Sequence, residues 1–594
     1  MAIRDFEPTS SAVKNFELVV KLIRDSGIVD TFETAMARPV NTGGVEASNP
    51  YSVETVLVGY FLQIAGHDPI TLPKMLQSLW QLSPEQIVEL GMSHYVGPDR
   101  RAALTDTKAW GSEYCLFRHR FDQLMKVIDP SPHPRRTEPM AVRHARMANL
   151  TSAKRSELDE KEGRLQHVLD QLIEASTRGV RPTTYQGHVA LDETLIPTFA
   201  SKEGRGDKLG KIGPPDPDII WYDVKKVSTA IKRILAQKKM KILDIYHRVV
   251  VGMPLSSPYS RQMPMVAGAV HVRVKRTETN TDAAVATVRA MQRNGWAPPP
   301  DVTPLVVNDK GYTNELEFPI RMFELGYDVI ANAEQPVPKH REELDILDDD
   351  ASKGARDVAV LPPSIHAGEV VCPAGRYLND PRNPPPVWPP DERTKSSADV
   401  RAHQDRVDEV RTVAMPHNGR PKLVIQGPHM GKHALRVSCP ALSRQCICAL
   451  APDSRLRSAG KPVLQFAPES PHRVCRTANS TVWLNASQIK HLDARTRGSV
   501  VHSAWYEICR AASERIFAFL KRCDMGDIRE GRIEMLGVAR NGFAVGVALA
   551  ILNVRRVEKL LADYGSLDNL PYTDRDARRK AWNRIVDEER GRTA

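Results

Sequence analysis

Cysteine is scarce in this chain, which has only eight among its 594 residues. So few cysteines over that length exclude the disulfide framework of small secreted domains. Long hydrophobic runs are also missing, since the longest, 543–552, is far short of the ~20 residues that a membrane-spanning helix needs. Charged residues at Arg4, Asp5 and Glu7 precede any apolar segment, which argues against a secretory signal. We therefore expect a cytoplasmic protein with no membrane partner.

Charge is abundant and unevenly placed. The net charge is +11, yet the first 100 residues hold 7 Lys/Arg against 12 Asp/Glu, so the basic excess belongs to the rest of the chain. A basic body favours a polyanionic partner, most simply double-stranded DNA, with a generic basic surface as the alternative. The length is too great for one hydrophobic core and indicates several domains.

The acid Asp192 lies inside an apolar, strand-forming segment. Asp192 is surrounded by Val189, Leu191, Leu195 and Ile196, a composition typical of a strand packed on both faces. An ionised carboxylate there is unfavourable unless it is paired, hydrogen-bonded or bound to a metal. The alternative is an aspartate at a strand end that caps a turn.

The elements after this strand have a recognisable order. Apolar patterns predict two further strands, a capped helix, a short strand that stops on Asp309, a second helix and a fifth strand; they span 244–254, 267–275, 279–294, 303–309, 310–326 and 327–333. Three antiparallel strands followed by strand–helix–strand is the order of the ribonuclease H-like fold. Asp309 ends the fourth strand, where open α/β sheets bind their ligands. That fold needs a third acid on a late helix.

Residues 502–523 carry an uninterrupted helical pattern with such an acid. Arg510, Glu514 and Lys521 fall within roughly 40° of one another on a helix of 3.6 residues per turn. Apolar residues dominate the rest of this helix, so a buried glutamate would require a functional reason. An ordinary solvated stripe of charge, stabilised by an Arg–Glu pair, is the alternative.

These blocks resemble the DDE transposases of bacterial insertion sequences. ALDET and NDKGY are similar to that family's first and second acid motifs, and Arg510-x3-Glu514-x6-Lys521 is similar to the Tyr-x2-Arg-x3-Glu-x6-Lys signature of one branch. The expected tyrosine position is Glu507, with Tyr506 one residue early. The resemblance covers about a third of the chain, 185–333 and 500–555.

The resemblance implies a fold, a chemistry and partners. It implies an α/β, ribonuclease H-like catalytic domain with a mixed five-stranded sheet. It also implies DNA cutting and joining with two Mg²⁺ or Mn²⁺ ions held by Asp192, Asp309 and Glu514, and a DNA phosphate held by Arg510 and Lys521. A homodimer that joins two element ends, in a bacterial, nucleoid-associated protein, would follow. A nuclease without strand transfer and a non-catalytic, transposase-derived DNA-binding protein are the alternatives.

A dense basic segment lies between the first two predicted strands. It contains Lys225, Lys226, Lys232, Arg233, Lys238, Lys239 and Lys241 and no acid. Its position near the first acid favours contact with the DNA backbone, and a solvated basic helix is the alternative.

Composition shifts predict the domain boundaries. We expect a helical N-terminal domain that could bind DNA ends, a linker with a long charged helix, a catalytic core in two parts, a β-rich insertion between those parts, and a charged helical tail; they span 1–130, 131–184, 185–333 with 501–555, 334–500 and 556–594.

The insertion contains five of the eight cysteines. They are Cys372, Cys439, Cys446, Cys448 and Cys475, with His472 nearby. Their spacing is compatible with a structural zinc site but is not that of a standard zinc ribbon. Simple buried thiols are the alternative, as predicted for Cys115, Cys509 and Cys523 in helical stretches.

Overall fold

A computed structural model places most of the chain. It describes residues 10–37, 49–95, 106–199, 212–213, 215–223, 243–258, 260–274, 278–308, 310–313, 315–330, 363–379, 397–451, 453–464, 472–476, 479–522, 524–529 and 531–571. The statements below concern these residues.

The N-terminal part is helical, as predicted. Its helices are Ser10–Ser26 (α1), Ile28–Met36 (α2), Val53–Ala65 (α3), Leu72–Trp80 (α4), Pro84–Glu89 (α5) and Thr107–Ile128 (α6), with a 3₁₀ turn at Ser93–Tyr95. Ser83 begins α5 with a capping box, because its side chain accepts from the backbone of Gln86 while the Gln86 side chain accepts from Ser83. Every residue of α3 except Glu54 is buried, so α3 is a core helix and not one that reads DNA.

The predicted long helix over 141–178 is two helices. They are Met140–Ala148 (α7) and Ser152–Thr177 (α8). The break occurs because the Thr151 side chain accepts a hydrogen bond from Lys154 N and caps a new helix. Leu165, Leu169 and Ile173 of α8 are buried in the main core, so this half of the helix is structural and not an exposed spacer.

A mixed sheet forms the centre of the α/β fold. Its strands are Val189–Pro197 (β2), Ile220–Asp223 (β4), Leu243–Pro254 (β5), Ala269–Arg273 (β6), Leu305–Asn308 (β7) and Asp328–Ile330 (β8); a separate two-residue pair joins Glu138–Pro139 (β1) to Ile212–Gly213 (β3). The strand order is β4-β5-β2-β7-β8. Strand β6 also pairs with β5, but along a later part of it: β4 pairs with 243–246 and β6 with 248–252. The pairs β2–β5 and β5–β6 are antiparallel, whereas β2–β7 and β7–β8 are parallel. All five predicted strands are present, and β4 is a sixth that the pattern did not predict.

Helices cover both faces of this sheet. Asn280–Met291 (α9), which continues as a π-helical turn at Gln292–Trp296, packs on one face with Lys310–Thr313 (α10) and Phe318–Glu324 (α11). On the other face lie α8, Val500–Lys521 (α16) and Val538–Tyr564 (α17), followed by a 3₁₀ turn at Leu567–Asn569. The N-terminal helices share the hydrophobic core of this second face.

Helix α17 is the buried centre of the second layer. Tyr60 of α3 stacks on Phe543 with ring centroids 5.3 Å apart, and Gly546 leaves room for Leu169 of α8, whose Cδ2 would lie 2.2 Å from an added Cβ. By length and composition α17 could cross a membrane, but 83% of its apolar window is buried inside the protein. Packing in the core accounts for that apolar character.

The insertion combines short strands with a helix. Ser364–His366 (β9) and Glu369–Val371 (β10) form a hairpin, and Lys422–Leu423 (β11), His433–Val437 (β12) and Ser480–Leu484 (β13) form a three-stranded antiparallel sheet. The helical segments are Pro373–Asn379 (3₁₀), Ser397–Val413 (α12), Ser454–Arg457 (α13), Arg473–Arg476 (α14) and Ala486–Ile489 (α15). The 17-residue α12 was not predicted by the sequence pattern.

Candidate active site

Asp192 lies on β2, the strand between the antiparallel and parallel parts of the sheet. Alternation along β2 places Ala190 and Ile196 in the core that α16 and α17 cover, so Asp192 shares their face. The side chain is half-buried, and its Oδ1 accepts a hydrogen bond from Glu193 N at 2.8 Å. The last parallel pair of β2 and β7 is Leu191 with Asn308, so Asp192 directly follows the paired segment.

Helix α16 packs against this end of the sheet. Ser499 caps it by accepting from His502 N, and no glycine or proline interrupts it. Trp505 meets the His188 ring edge-on at 4.6 Å, and Cys509 Sγ donates to Val307 O at 3.2 Å. Helix α16 therefore runs parallel to β2 and β7, from the amino ends of these strands towards their carboxyl ends.

Glu514 lies at the same end of the sheet as Asp192. A helix advances about 1.5 Å and a strand about 3.3 Å per residue, so the turn after Cys509 is level with the residues that follow Asn308. Ser513 in that turn is buried, whereas Glu514 lies on the flank of the helix and its side chain is 63% exposed. This estimate puts Glu514 level with the carboxyl end of β7, on the exposed flank of α16 and not on the side of the helix that packs on the sheet.

The cations of the predicted signature share an exposed stripe with Glu514. Arg510 is 64% exposed and its Nε donates to Glu514 Oε1 at 2.8 Å, across one turn of the helix. Lys521 is exposed at the last residue of α16. Tyr506 is half-buried against the core, and Glu507, at the position expected for tyrosine, is exposed. The Arg–Glu pair is the one that a solvated stripe would form.

Two sets of predicted site residues lie outside the described residues. One is Asp309, which follows Asn308 in the sequence. The other is the basic segment of Lys225, Lys226, Lys232, Arg233, Lys238, Lys239 and Lys241. Their assignments stay predictions.

A polar network that the sequence pattern did not predict lies on the opposite face of β2. Buried Arg273 donates to Glu193 Oε2 and to Asn280 Oδ1, both at 2.6 Å, and also to the backbone oxygen of Glu278. His271 Nε2 and Glu278 Oε1 are 2.5 Å apart. The carboxylate of Glu193 is therefore held in an ion pair with Arg273. The network connects β2 to the start of α9.

His188 joins the elements that carry the acids. Its Nδ1 accepts a hydrogen bond from Leu305 N at 3.0 Å, and its Nε2 donates one to Gln186 Oε1 at 3.2 Å. A ring that accepts at one nitrogen and donates at the other is neutral. Burial, assisted by the nearby charge of Arg495, lowers the pKa of His188 to about 4. No motif in the sequence distinguishes this histidine, because its hydrogen bond with Leu305 forms only in the folded sheet.

This environment of His188 predicts a loss of stability in mild acid. Between a folded pKa of about 4 and an unfolded value of about 6.5 the unfolded chain binds more protons, so stability falls as the pH drops through that window, by at most about 3 kcal/mol. Urea denaturation at pH 7 and pH 4 should show the advantage of wild type over His188→Gln shrinking by that order. A difference that is equal at both pH values would contradict it.

Asp216 forms a second buried network. It is fully buried and accepts from His247 Nε2 at 3.0 Å, Thr198 Oγ1 at 3.2 Å and Gly537 N at 2.8 Å. Burial alone would raise the pKa of Asp216, but the charge and hydrogen bond of His247, with Arg135 and Gly537 N, hold it below its ordinary value. The network joins the sheet to the start of α17 and to the linker, and its burial identifies it as structural.

The five cysteines of the insertion are all buried around one pocket, and none of them forms a disulfide. Of the predicted core thiols, Cys509 is buried and Cys115 is exposed, because Cys115 lies on the outer side of α6. Cys523 lies outside the described residues. Within the described ranges, no three or more His, Cys, Asp or Glu side chains are arranged to hold a metal ion.

No family model, curated protein or solved structure matches the chain. A functional assignment therefore depends on the fold and on the geometry of the site.

Proposed function

We propose that the protein is a DDE-type DNA transposase that cuts and joins DNA ends. The observation that carries this proposal is the register of β2 and β7, which ends at Leu191 and Asn308. The next residue of each segment is an aspartate, Asp192 and Asp309, and the direction of α16 along β7 favours a position of Glu514 towards the same end of the sheet. The strand order β6-β5-β2-β7-β8, with one antiparallel and one parallel half, supports a ribonuclease H-like fold.

The donor set fits hard divalent cations. Asp192, Asp309 and Glu514 offer carboxylate oxygens, which select Mg²⁺ or Mn²⁺ over softer metals. A bound pair of such ions supplies activation of a water or 3′-hydroxyl and stabilisation of the leaving oxygen during in-line attack at phosphorus. The protein's own contribution would be to hold Asp192 on β2 and Glu514 on α16, with Asp309 following β7 in the sequence.

Glu514 must leave Arg510 to bind metal. The pair is solvent-exposed on both sides and within one helix, where such pairs contribute under ~0.5 kcal/mol. The pair would therefore separate at little cost, which would leave the Arg510 guanidinium available for another partner. Arg510 can then bind a DNA phosphate with two parallel hydrogen bonds, with Lys521 adding charge on the same stripe.

The assay that tests the proposal uses the full-length protein and labelled duplexes that carry the two ends of the DNA element flanking its gene. We expect Mg²⁺- or Mn²⁺-dependent cleavage at those ends, followed by their joining to a second duplex, and assembly of two chains on paired ends. Cleavage without joining under all these conditions would identify a nuclease instead. DNA binding without any metal-dependent cleavage would identify a non-catalytic DNA-binding protein.

Arg510 provides a second prediction. Arg510→Ala should weaken binding to cleaved ends and reduce the slope of log affinity against log salt by about one, the value for one lost phosphate contact. Arg510→Lys should restore the charge but not the two-bond contact, so its rescue should be partial. The matched control is Arg178→Ala, since Arg178 forms the same exposed i,i+4 pair with Glu174 away from the site. Equal salt slopes in wild type and Arg510→Ala would contradict the assignment.

A further inference from the structure

Five cysteines from separate segments of the insertion surround one small pocket. They are Cys372, Cys439, Cys446, Cys448 and Cys475, and each is at most 9% exposed. Cys372 follows β10, Cys475 lies on α14, and the other three lie in the turns after β12. The remaining lining residues are apolar, so the sulfurs are the pocket's ligating atoms.

The core beneath these turns is too small to hold them by hydrophobic burial alone. Its buried members are Cys439, Ala441, Cys446, Cys448 and Ala451, with no large aliphatic or aromatic side chain among them. Regular structure in 439–464 is confined to the four-residue α13 and isolated bridges such as Ile447 with Val463. Small units with so little buried apolar area are normally held by disulfides or a metal.

The turn at Cys372 is shaped for a thiolate. Residues 372–375 read Cys-Pro-Ala-Gly, and Gly375 N closes the turn on Cys372 O at 2.8 Å. The backbone N–H of Ala374 donates to the Cys372 sulfur. An N–H that points at sulfur favours the charged thiolate and is a typical outer contact of a metal-bound cysteine.

The sulfur of Cys372 lies beside three of the others. It interacts electrostatically with Cys446, Cys439 and Cys475, and all four line the same pocket. Cys448 differs because it is not among these neighbours of Cys372 and interacts instead with Cys446 and Cys439. His472 also differs, because its Nδ1 accepts from Val474 N at 3.2 Å.

We propose that the insertion binds one structural zinc ion through Cys372, Cys439, Cys446 and Cys475. Four thiolates in tetrahedral arrangement are a preferred ligand set of Zn²⁺ and a poor one for Mg²⁺. Among the described residues, no three such side chains are already arranged to hold a metal ion, so binding requires the sulfurs that line this pocket to turn towards one another about χ1. Binding releases the thiol protons, and the metal then ties β10, the turns after β12 and α14 together.

The primary test is the zinc content of full-length protein purified without chelator from zinc-supplemented cells. We expect one zinc per chain, and replacement by Co²⁺ should give the absorption of a four-thiolate tetrahedral site. Removal of the metal by a strong chelator should lower the melting temperature. Wild-type protein without zinc, or a cobalt spectrum without sulfur-to-metal absorption, would overturn the proposal without any variant.

Substitutions then test the ligand set. Cys372→Ser and Cys439→Ser should lose at least ninety per cent of the zinc, whereas Cys448→Ser should retain it. Cys509→Ser is the matched control for a buried thiol in the other core, and Asp192→Asn should keep its zinc because it alters the catalytic metals only. A full zinc content in Cys372→Ser would overturn the assigned ligands. Loss of zinc in Cys448→Ser together with retention of zinc in Cys446→Ser would also overturn them.

Discussion

Asp192→Asn should reduce metal-dependent DNA cleavage by about a thousand-fold or more, the scale on which loss of a single transition-state stabiliser acts. Asparagine has the size of aspartate and its amide oxygen can still accept the hydrogen bond from Glu193 N. It lacks the negative charge that two adjacent cations require. The fold and the affinity for DNA should therefore change little while the chemical step is lost.

Single-turnover cleavage of a labelled element end measures this loss. The matched control is Glu193→Gln, the neighbouring acid on the opposite face of β2, which can still accept from Arg273. We expect that control to stay within about ten-fold of wild type, because the glutamine amide oxygen keeps the hydrogen bond from Arg273 and the side chain lies on the face of β2 opposite to Asp192. Cleavage by Asp192→Asn within ten-fold of wild type would refute the metal-ligand role.

Glu514→Gln should be as severe, although Glu514 is exposed and paired with Arg510. Its partner control is Glu507→Gln, an exposed acid on the same helix that the site does not require. A loss of cleavage in Glu514→Gln alone would separate the metal ligand from a general effect of charge on α16. Equal losses in both variants would instead indicate that α16 contributes only through its charge.

The sequence was sufficient to predict five of the six strands of the sheet, because each of these five is a separate apolar run. Short apolar runs ended at Gly, Pro and Asp, and the order of these runs predicted the three antiparallel strands and the parallel pair that the structure contains. Asp192 was identifiable for the same reason, since it is an acid in a strand that is otherwise buried. The strand β4 was missed because Ile220–Asp223 is short and follows a Gly/Pro-rich loop.

Helix boundaries inside charged segments could not be predicted in the same way. In α12 the apolar residues Val407, Val410 and Val413 are buried, but most of the remaining residues are polar or charged, so periodicity is weak. The break between α7 and α8 at 149–151 is marked in the sequence by a single capping residue, Thr151. Such a cap is hard to recognise within a segment rich in charged residues.

The orientation of site residues depends on contacts that are distant in sequence. The position of Glu514 along the sheet follows from Cys509 meeting Val307, some two hundred residues earlier. His188 and Asp216 have no sequence signal at all, because Leu305 and Gly537 are brought to them only by the folded chain. The spacing of Arg510, Glu514 and Lys521 predicted that they share one face of a helix. It could not predict that this face is exposed to solvent.

The largest effect on stability should come from Asp216→Ala. Removal of one member of a buried charged network leaves its partners unpaired and costs about 3–5 kcal/mol. Here the stranded groups are His247 and Gly537 N, which lose an acceptor at a buried site, whereas Arg135 keeps its pairs with Asp129 and Asp218. The sheet, the linker and the start of α17 would lose their common contact.

Urea denaturation followed by tryptophan fluorescence should show this loss near pH 7. Because the pKa of Asp216 is held below its ordinary value, its stabilisation is complete above about pH 4 and is lost as the pH falls further towards the folded pKa. The difference between wild type and Asp216→Ala should therefore narrow in strong acid. Asp524→Ala, which removes an exposed pair with Arg522, is the matched control and should leave the free energy of unfolding almost unchanged. If Asp216→Ala is no more destabilising than that control, the buried network does not hold these elements together.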